Sequence, residues 1–212
     1  MNKEMVVIGA GGHGRVCADI SEAAGYVMIG FADENHALGE LINGLQVVAN
    51  TFDDIKEHCQ PGFRLFFVGI SDNALREQIF NLATELNYDL PTIIHPSAVV
   101  SPHAKIGPGT VIMPNAVVNA NATIGKACIL STGCSVDYDS EIGDCVHISP
   151  GVAITGNVKI GAKSFIGTGA SIIPGIEIGE SCLVGAGAAV TKSITAGGRV
   201  AGVPGKPILH HG

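Results

Sequence analysis

Residues 142–160 read IGDCVHISPGVAITGNVKI, with isoleucine at 142, 148, 154 and 160. The same six-residue step runs back to Ile94 and on to Val190, with an aliphatic residue at every step. A period of six fits neither a helix, at about 3.6, nor a flat strand, at about 2, so it predicts a coil of short strands and corners. Ile-Gly recurs every eighteen residues, at 106, 124, 142, 160 and 178, so three hexads make one triangular coil. Two residues before each aliphatic the side chain is small or β-branched, as at Ala116, Cys134, Val152 and Ala170, with Ile176 the larger exception. Alternation along a short strand turns both positions inward. Two residues after the aliphatic, proline stands at 96, 102, 108, 114, 150 and 174, which suits a corner where φ is fixed and no ladder donor is required.

Steps of eighteen sort the outward residues into three faces. Val111, Ile129, His147, Phe165 and Leu183 form an apolar face; Val99, Val117, Ser135, Ala153, Ser171 and Ala189 a small-residue face; Lys105, Thr123, Glu141, Lys159 and Glu177 a charged face. This segregation predicts prisms packed side by side about a threefold axis, hence a homotrimer. His147 is the one polar residue of the apolar face, and we expect it to contact ligand.

The 29 glycines and 46% hydrophobic residues suit a repeat with tight corners, and the 5% aromatic content suits a thin core of Ile, Val and Ala layers. A net charge of −7 leaves no basic footprint for nucleic acid or an anionic membrane, although Lys192, Arg199 and Lys206 cluster near the C-terminus. No apolar run approaches a membrane span, and the chain starts with a strand and a glycine turn rather than a signal peptide's apolar region, so a cytoplasmic protein is expected. Cys128, Cys134 and Cys182 occupy inward positions, Cys145 a corner, and Cys17 and Cys59 predicted helices. None has zinc-ligand spacing, so the cysteines read as reduced and structural and no metal is expected.

Residues 1–90 read as a separate domain, with 91–212 forming the coil and its tail. A strand at 4–9 runs into Gly9-Ala10-Gly11-Gly12-His13-Gly14, and a helix follows with Val16, Cys17, Ile20, Ala23 and Ala24 on one side, stopping at Gly25. Val27–Ala32 is a second strand ending at Asp33-Glu34, 64–69 another strand, and Asn73–Glu85 another helix. This alternation is a small open α/β sheet. Glycines at 9, 11 and 14 fit G-x-G-x-x-G, and an acid about twenty residues on is the ribose-binding feature of dinucleotide folds. Backbone amides at a helix start attract phosphate, so a nucleotide is expected; about ninety residues are too few for both halves of a dinucleotide fold. His13, bulky and titratable inside such a turn, is expected to face the ligand.

Together, Gly11-Gly12-His13-Gly14, Ile94-His95-Pro96-Ser97-Ala98, the hexads and Gly202-Val203-Pro204-Gly205-Lys206 resemble the NeuD and PglD type of bacterial sugar acetyltransferases across nearly the whole chain. The resemblance implies a Rossmann-like N-terminal domain followed by a left-handed parallel β-helix, trimeric, moving acetyl from acetyl-CoA to an amine of a nucleotide-linked sugar or a hydroxyl of sialic acid. Handedness comes from the resemblance alone, because parallel crossovers are ordinarily right-handed. It further implies a nucleotide sugar at Gly11, Gly12, His13, Asp33, Glu34 and Gly69. Acetyl-CoA would lie between neighbouring prisms near His147, Gly167, Thr168, Gly185 and Ala186, with Lys206 toward its phosphates.

In that family the general base is a histidine in a segment like Val-Asp/Glu-His-Asp/Glu. This chain reads Val136-Asp137-Tyr138-Asp139. The corner phase turns Tyr138 outward, with Asp139 and Asp137 its polar neighbours. A phenol, with an ordinary pKa of about 10, is a poorer base at neutral pH than imidazole, at about 6.5, and losing a positioned base costs about 10² to 10⁴ in rate. Three readings stay open: Tyr138 acts as phenolate or positioner, His147 takes the proton, or the enzyme is weakened or inactive. No Ser-His-Asp or Cys-His arrangement is evident, so direct transfer is expected, without an acyl-enzyme. The rivals are sugar O-acetylation, a non-catalytic nucleotide-sugar or acyl-CoA binding homologue, and an NAD-dependent reductase supported only by the glycine turn. His95 and His103, at outward or corner positions where the repeat starts, read as structural; His36 and His58 have no supporting motif, and His210 and His211 belong to a polar tail.

Overall fold

The computed structural model describes residues 3–51, 54 and 65–208. The chain divides into two compact units, Met1–Ile94 and His95–Gly212.

The first unit is a five-stranded sheet made of β1 (Glu4–Ile8), β2 (Val27–Ala32), β3 (Leu41–Ile42), β4 (Leu45–Ala49) and β5 (Phe66–Val68), in the order β3-β4-β2-β1-β5. Strands β4, β2, β1 and β5 are parallel. β1 and β5 are buried along their middles, as Met5, Val6 and Val7 and Phe66, Phe67 and Val68 are, which is the continuous apolar pattern of strands covered on both faces, whereas β2 exposes Ile29 and β4 exposes Gln46. Helix α1 (Gly12–Ala23) follows β1, and α2 (Asn73–Glu85) follows β5, capped by Asp72, whose side chain accepts from Leu75 N at 2.8 Å. The hairpin β3–β4 was not expected. Its turn is Asn43-Gly44, with φ of +50° and +83°, the dipeptide that a two-residue turn with left-handed residues favours.

The face of α1 also differs from expectation. Val16 and Ala23 face solvent, and Ala18 and Ser21 are buried beside Cys17 and Ile20. The cause is Gly14. A Cβ there would collide with Gly9 O and come within 3.3 Å of Gly69 O, so the helix lies with its glycine directly on the strand ends. That close approach fixes the helix rotation more firmly than apolar spacing does. Strand β5 is shorter than the expected 64–69: Arg64 lies outside the described residues, as do His58, Cys59, His210 and His211, and Gly69 follows the strand end.

The second unit is the expected coil. Two-residue strands recur every six residues from Val99–Val100 to Ala189–Val190, and each as far as Ser171–Ile172 pairs in parallel with the strand eighteen residues on. The winding is left-handed, the sense the resemblance implied. Both inward positions of each hexad meet in one core, in which Ile112, Leu130, Ile148 and Ile166 stack with Ala116, Cys134, Val152 and Ala170. Three inward residues are polar, and each stitches two coils together. Thr110 Oγ1 donates to Gly125 O at 2.8 Å and accepts from Cys128 N at 2.9 Å; Ser140 and Ser164 do the same fifteen and eighteen residues on. A buried hydroxyl so used leaves no unmade hydrogen bond.

The corners hold a second periodicity that the proline positions did not reveal. The third residue after each aliphatic is left-handed at every corner from Gly109 to Gly187, with φ between +50° and +74°. Where glycine is absent, Asn115, Asn121, Asp139 and Asn157 supply residues that tolerate this region, and Ala127, Cys145, Lys163 and Ser181 adopt it as well. The final coil is shorter: Leu183 pairs with Arg199, sixteen residues on, after which Lys206–Pro207 returns antiparallel against Val200–Ala201 and closes the open edge.

The three outward faces are present, with one correction. Val111 and Ile129 are 0% and 1% exposed and so are covered within their own chain, leaving His147, Phe165 and Leu183 as the accessible part of the apolar face. Hexad phase gives a side chain's direction from the coil. It carries no information on what else the same chain lays over it.

Candidate functional site

Where β1 and β5 end and α1 begins, the first unit opens a cavity of about 490 Å³. All six residues expected to hold the nucleotide sugar line it: Gly11, Gly12, His13, Asp33, Glu34 and Gly69. Their reasons for being there differ. Gly9, Gly14 and Gly69 are packing glycines, since a Cβ on Gly69 would stand 2.7 Å from Gly14 Cα and 2.7 Å from Val7 Cγ1. Gly11 and Gly12 face open space, with only Arg15 Nη2 at 3.9 Å from a Cβ on Gly12. The two glycines that no protein atom requires are the two at the start of α1, where free N–H groups favour an anion.

Asp33 braces this turn. Its Oδ2 accepts from Ala10 N at 2.8 Å, and its Oδ1 accepts from Asn35 N at 2.8 Å and Asn35 Nδ2 at 3.2 Å. Partial burial raises the pKa of the carboxyl, but the N–H donors of Ala10 and Asn35 outweigh it and hold it below the ordinary Asp value. The depressed value means that the ionised brace stabilises the fold above the unfolded pKa, about 3.9, and is lost as pH falls through the lower folded value. We expect Asp33→Asn to flatten that acid limb in a series of urea midpoints from about pH 6 to about pH 3. An unchanged slope would show that the brace is not what titrates.

Four polar wall residues were not anticipated: Asn35, Asn50, Thr51 and Ser71. Asn50 Nδ2 donates to Asp33 O and to His36 O, both at 2.7 Å, and so holds the loop after β2 against β4. Nothing in local spacing signals this, because the partners are seventeen and fourteen residues away. The opposite wall is held by Arg76, 1% exposed, whose guanidinium donates to Ile70 O at 3.1 Å, Ser71 O at 3.0 Å and Asn73 Oδ1 at 2.7 Å. His13 Nε2 lies 3.5 Å from Cys17 Sγ, one turn along α1, which orients its ring beside the cavity.

In the second unit the residues expected to hold acetyl-CoA occupy one face and the corner that follows it. His147, Phe165 and Leu183 are register partners. His147 Nε2 lies 3.4 Å from Ser131 Oγ, and its ring meets the Phe165 ring edge-on at 4.9 Å. Gly167, Thr168, Gly185 and Ala186 follow at stacked corners, Thr168 and Ala186 exposed. Gly167 and Gly185 have packing reasons of their own: a Cβ on the first would stand 2.6 Å from Ala186 N, and on the second 2.9 Å from Ala201 Cβ. Lys206 is exposed on the closing strand.

Tyr138 stands at a different corner, 48% exposed. Its backbone N donates to Asp137 Oδ1 at 2.8 Å, and Asn119 Nδ2 donates to the same oxygen at 2.9 Å. Asp139 is the left-handed residue of that corner, at φ +55°, and its Oδ1 accepts from Asn121 Nδ2 at 3.0 Å. Both carboxylates are thus engaged with the preceding coil. Burial pushes the Cys134 thiol up to about 12 and raises those of Cys17 and Cys182, which disfavours the thiolate at these three positions. Among the described residues, no helix is long and apolar enough to cross a membrane.

Residues 4–83 match the PglD N-terminal domain, and residues 103–138 and 157–192 match the bacterial transferase hexapeptide, six repeats. The acetyltransferase domain of PglB from Neisseria gonorrhoeae is 40% identical, covering 98% of this chain and 100% of that one, with a TM-score of 0.91. The chain belongs to the hexapeptide-repeat sugar acetyltransferases. The PglB domain has also been solved with acetyl coenzyme A. A perosamine N-acetyltransferase from Caulobacter crescentus, solved with CoA and GDP-perosamine, is 34% identical over 98% of this chain and 97% of that one, with a TM-score of 0.92. WeeI from Acinetobacter baumannii is 27% identical over 96% and 99%, with a TM-score of 0.87.

Proposed function

We propose that this protein transfers acetyl from acetyl-CoA to the amine of a nucleotide-linked amino sugar, in one direct step. The observation that carries this reading is the full-length likeness to a sugar N-acetyltransferase solved with both CoA and GDP-perosamine, joined to the cavity at the glycine turn. The nucleotide's phosphates sit at Gly11 and Gly12, with His13, Glu34 and Asp33 beside them. Acetyl-CoA lies along His147, Gly167, Thr168, Gly185 and Ala186, its phosphates toward Lys206. The site is completed in a cytoplasmic homotrimer, in which the accessible remainder of the apolar face brings His147 of one copy to the Tyr138 corner of the next.

The amine attacks the thioester carbonyl, the C–S bond breaks, and coenzyme A leaves as thiol. The amine's proton passes to a group at the Tyr138 corner, and an N–H donor, from His147 or the backbone, steadies the developing oxyanion. With a phenol where the family has imidazole, the reaction is slower than in its relatives.

The test mixes the protein with acetyl-CoA and a panel of UDP-, GDP- and dTDP-linked 4-amino sugars and follows free thiol, with light scattering on the same sample. We expect thiol release with one nucleotide class and a mass three times the 21.7 kDa chain. Thiol with none of them, while a nucleotide sugar still binds, would replace the transferase reading with that of a binding homologue.

A further inference from the structure

Gly156 is the only glycine at the corner phase two residues after an aliphatic. Its φ lies outside the left-handed region, so backbone conformation does not call for glycine. Along its column, Pro102, Ala120, Tyr138 and Pro174 are exposed, whereas Gly156 is buried. The ring of Tyr138 lies over it: a Cβ on Gly156 would collide with Tyr138 Cζ and stand 2.6 Å from Cε2 and 2.9 Å from Cε1. All three contacts belong to the hydroxyl end of the ring, which therefore runs along the prism onto the next coil instead of projecting from its own. The corner has little room to yield, because Asn157 N donates to Tyr138 O at 3.0 Å and Gly175 N donates to Gly156 O at 3.2 Å.

We propose that Gly156 is a positioning residue: its missing side chain makes a seat for the Tyr138 ring and so sets where the phenol oxygen stands for proton transfer. The catalytic half of this statement rests on the acetyl transfer proposed above; the seat does not. An exposed tyrosine without a seat would sweep its oxygen through a wide arc, and misplacement of a reacting group by about 1 Å costs on the order of 10²-fold in rate. Tyr138 is then a held group, and its replacement of histidine comes with a fitted support.

Four proteins test this: the natural chain, Gly156→Ala, Tyr138→Ala, and the double variant, each measured for melting temperature and acetyl-transfer kinetics. With Tyr138 present, Gly156→Ala is expected to lower kcat about 10- to 100-fold, leave KM for acetyl-CoA unchanged, and lower the melting temperature by several degrees. Added to Tyr138→Ala, it is expected to change none of the three, since no ring remains to displace. Equal losses in both backgrounds would show that the coil itself requires glycine and would overturn the seat. Natural turnover in Tyr138→Ala would remove the catalytic half alone, while coupling in the melting temperatures would still report the seat.

Discussion

Replacing Gly14 with valine is expected to abolish nucleotide-sugar binding and destabilise the first unit by about 3 kcal/mol or more, the upper end of overpacking costs. The added Cβ would meet Gly9 O, whose peptide plane is held by Ala10 N donating to Asp33 Oδ2 at 2.8 Å, with Gly9 N donating to Ala32 O at 2.8 Å on the other side. Relief requires α1 to lift from the ends of β1 and β5, which carries Gly11, Gly12 and His13 away from Asp33. The coil has a separate core and should keep its β-type circular dichroism. Calorimetric titration with the nucleotide sugar that supports thiol release is the decisive measurement. Undiminished affinity in Gly14→Val would mean that the close helix-to-strand approach does not shape the site.

Tyr138→His is expected to raise kcat near neutral pH by about 10²-fold, the lower end of what a positioned base contributes. Imidazole, with an ordinary pKa of about 6.5, is largely free base there, whereas a phenol, at about 10, is not. The backbone needs no adjustment, because the Asp137, Asn119 and Asn121 contacts of that corner do not involve the ring. A smaller ring also fits over Gly156. If steady-state kinetics gave the same kcat for both proteins, the proton acceptor would lie elsewhere, and His147 would be the residue to substitute next.

The hexads were readable because each aliphatic has one neighbour that matters, the residue eighteen positions away, and stacking repeats the same contact. The left-handed corners were equally open to reading, since Asn115, Asn121, Asp139 and Asn157 share one phase with Gly133 and Gly151. Proline drew attention to the wrong corner residue. Asn43-Gly44 signals the hairpin, but β3, with only two residues, has no alternating pattern of its own to mark it as a strand. Asn50 and Arg76 had no such signal: each acts on carbonyls brought near by the fold, with side chains whose types are common on surfaces.

From the sequence alone came the coil, its period and the phase of every side chain in it, because those depend on spacing and on short-range backbone geometry; that Tyr138 stands where the family keeps a histidine came from the resemblance. The tertiary structure decided what spacing cannot encode. It turned α1 about Gly14 against the apolar pattern, covered Val111 and Ile129 within the chain, and laid the Tyr138 ring on Gly156. Each of these is a matter of volume, of which atoms already occupy a given space, and volume is settled only when separate elements are packed together.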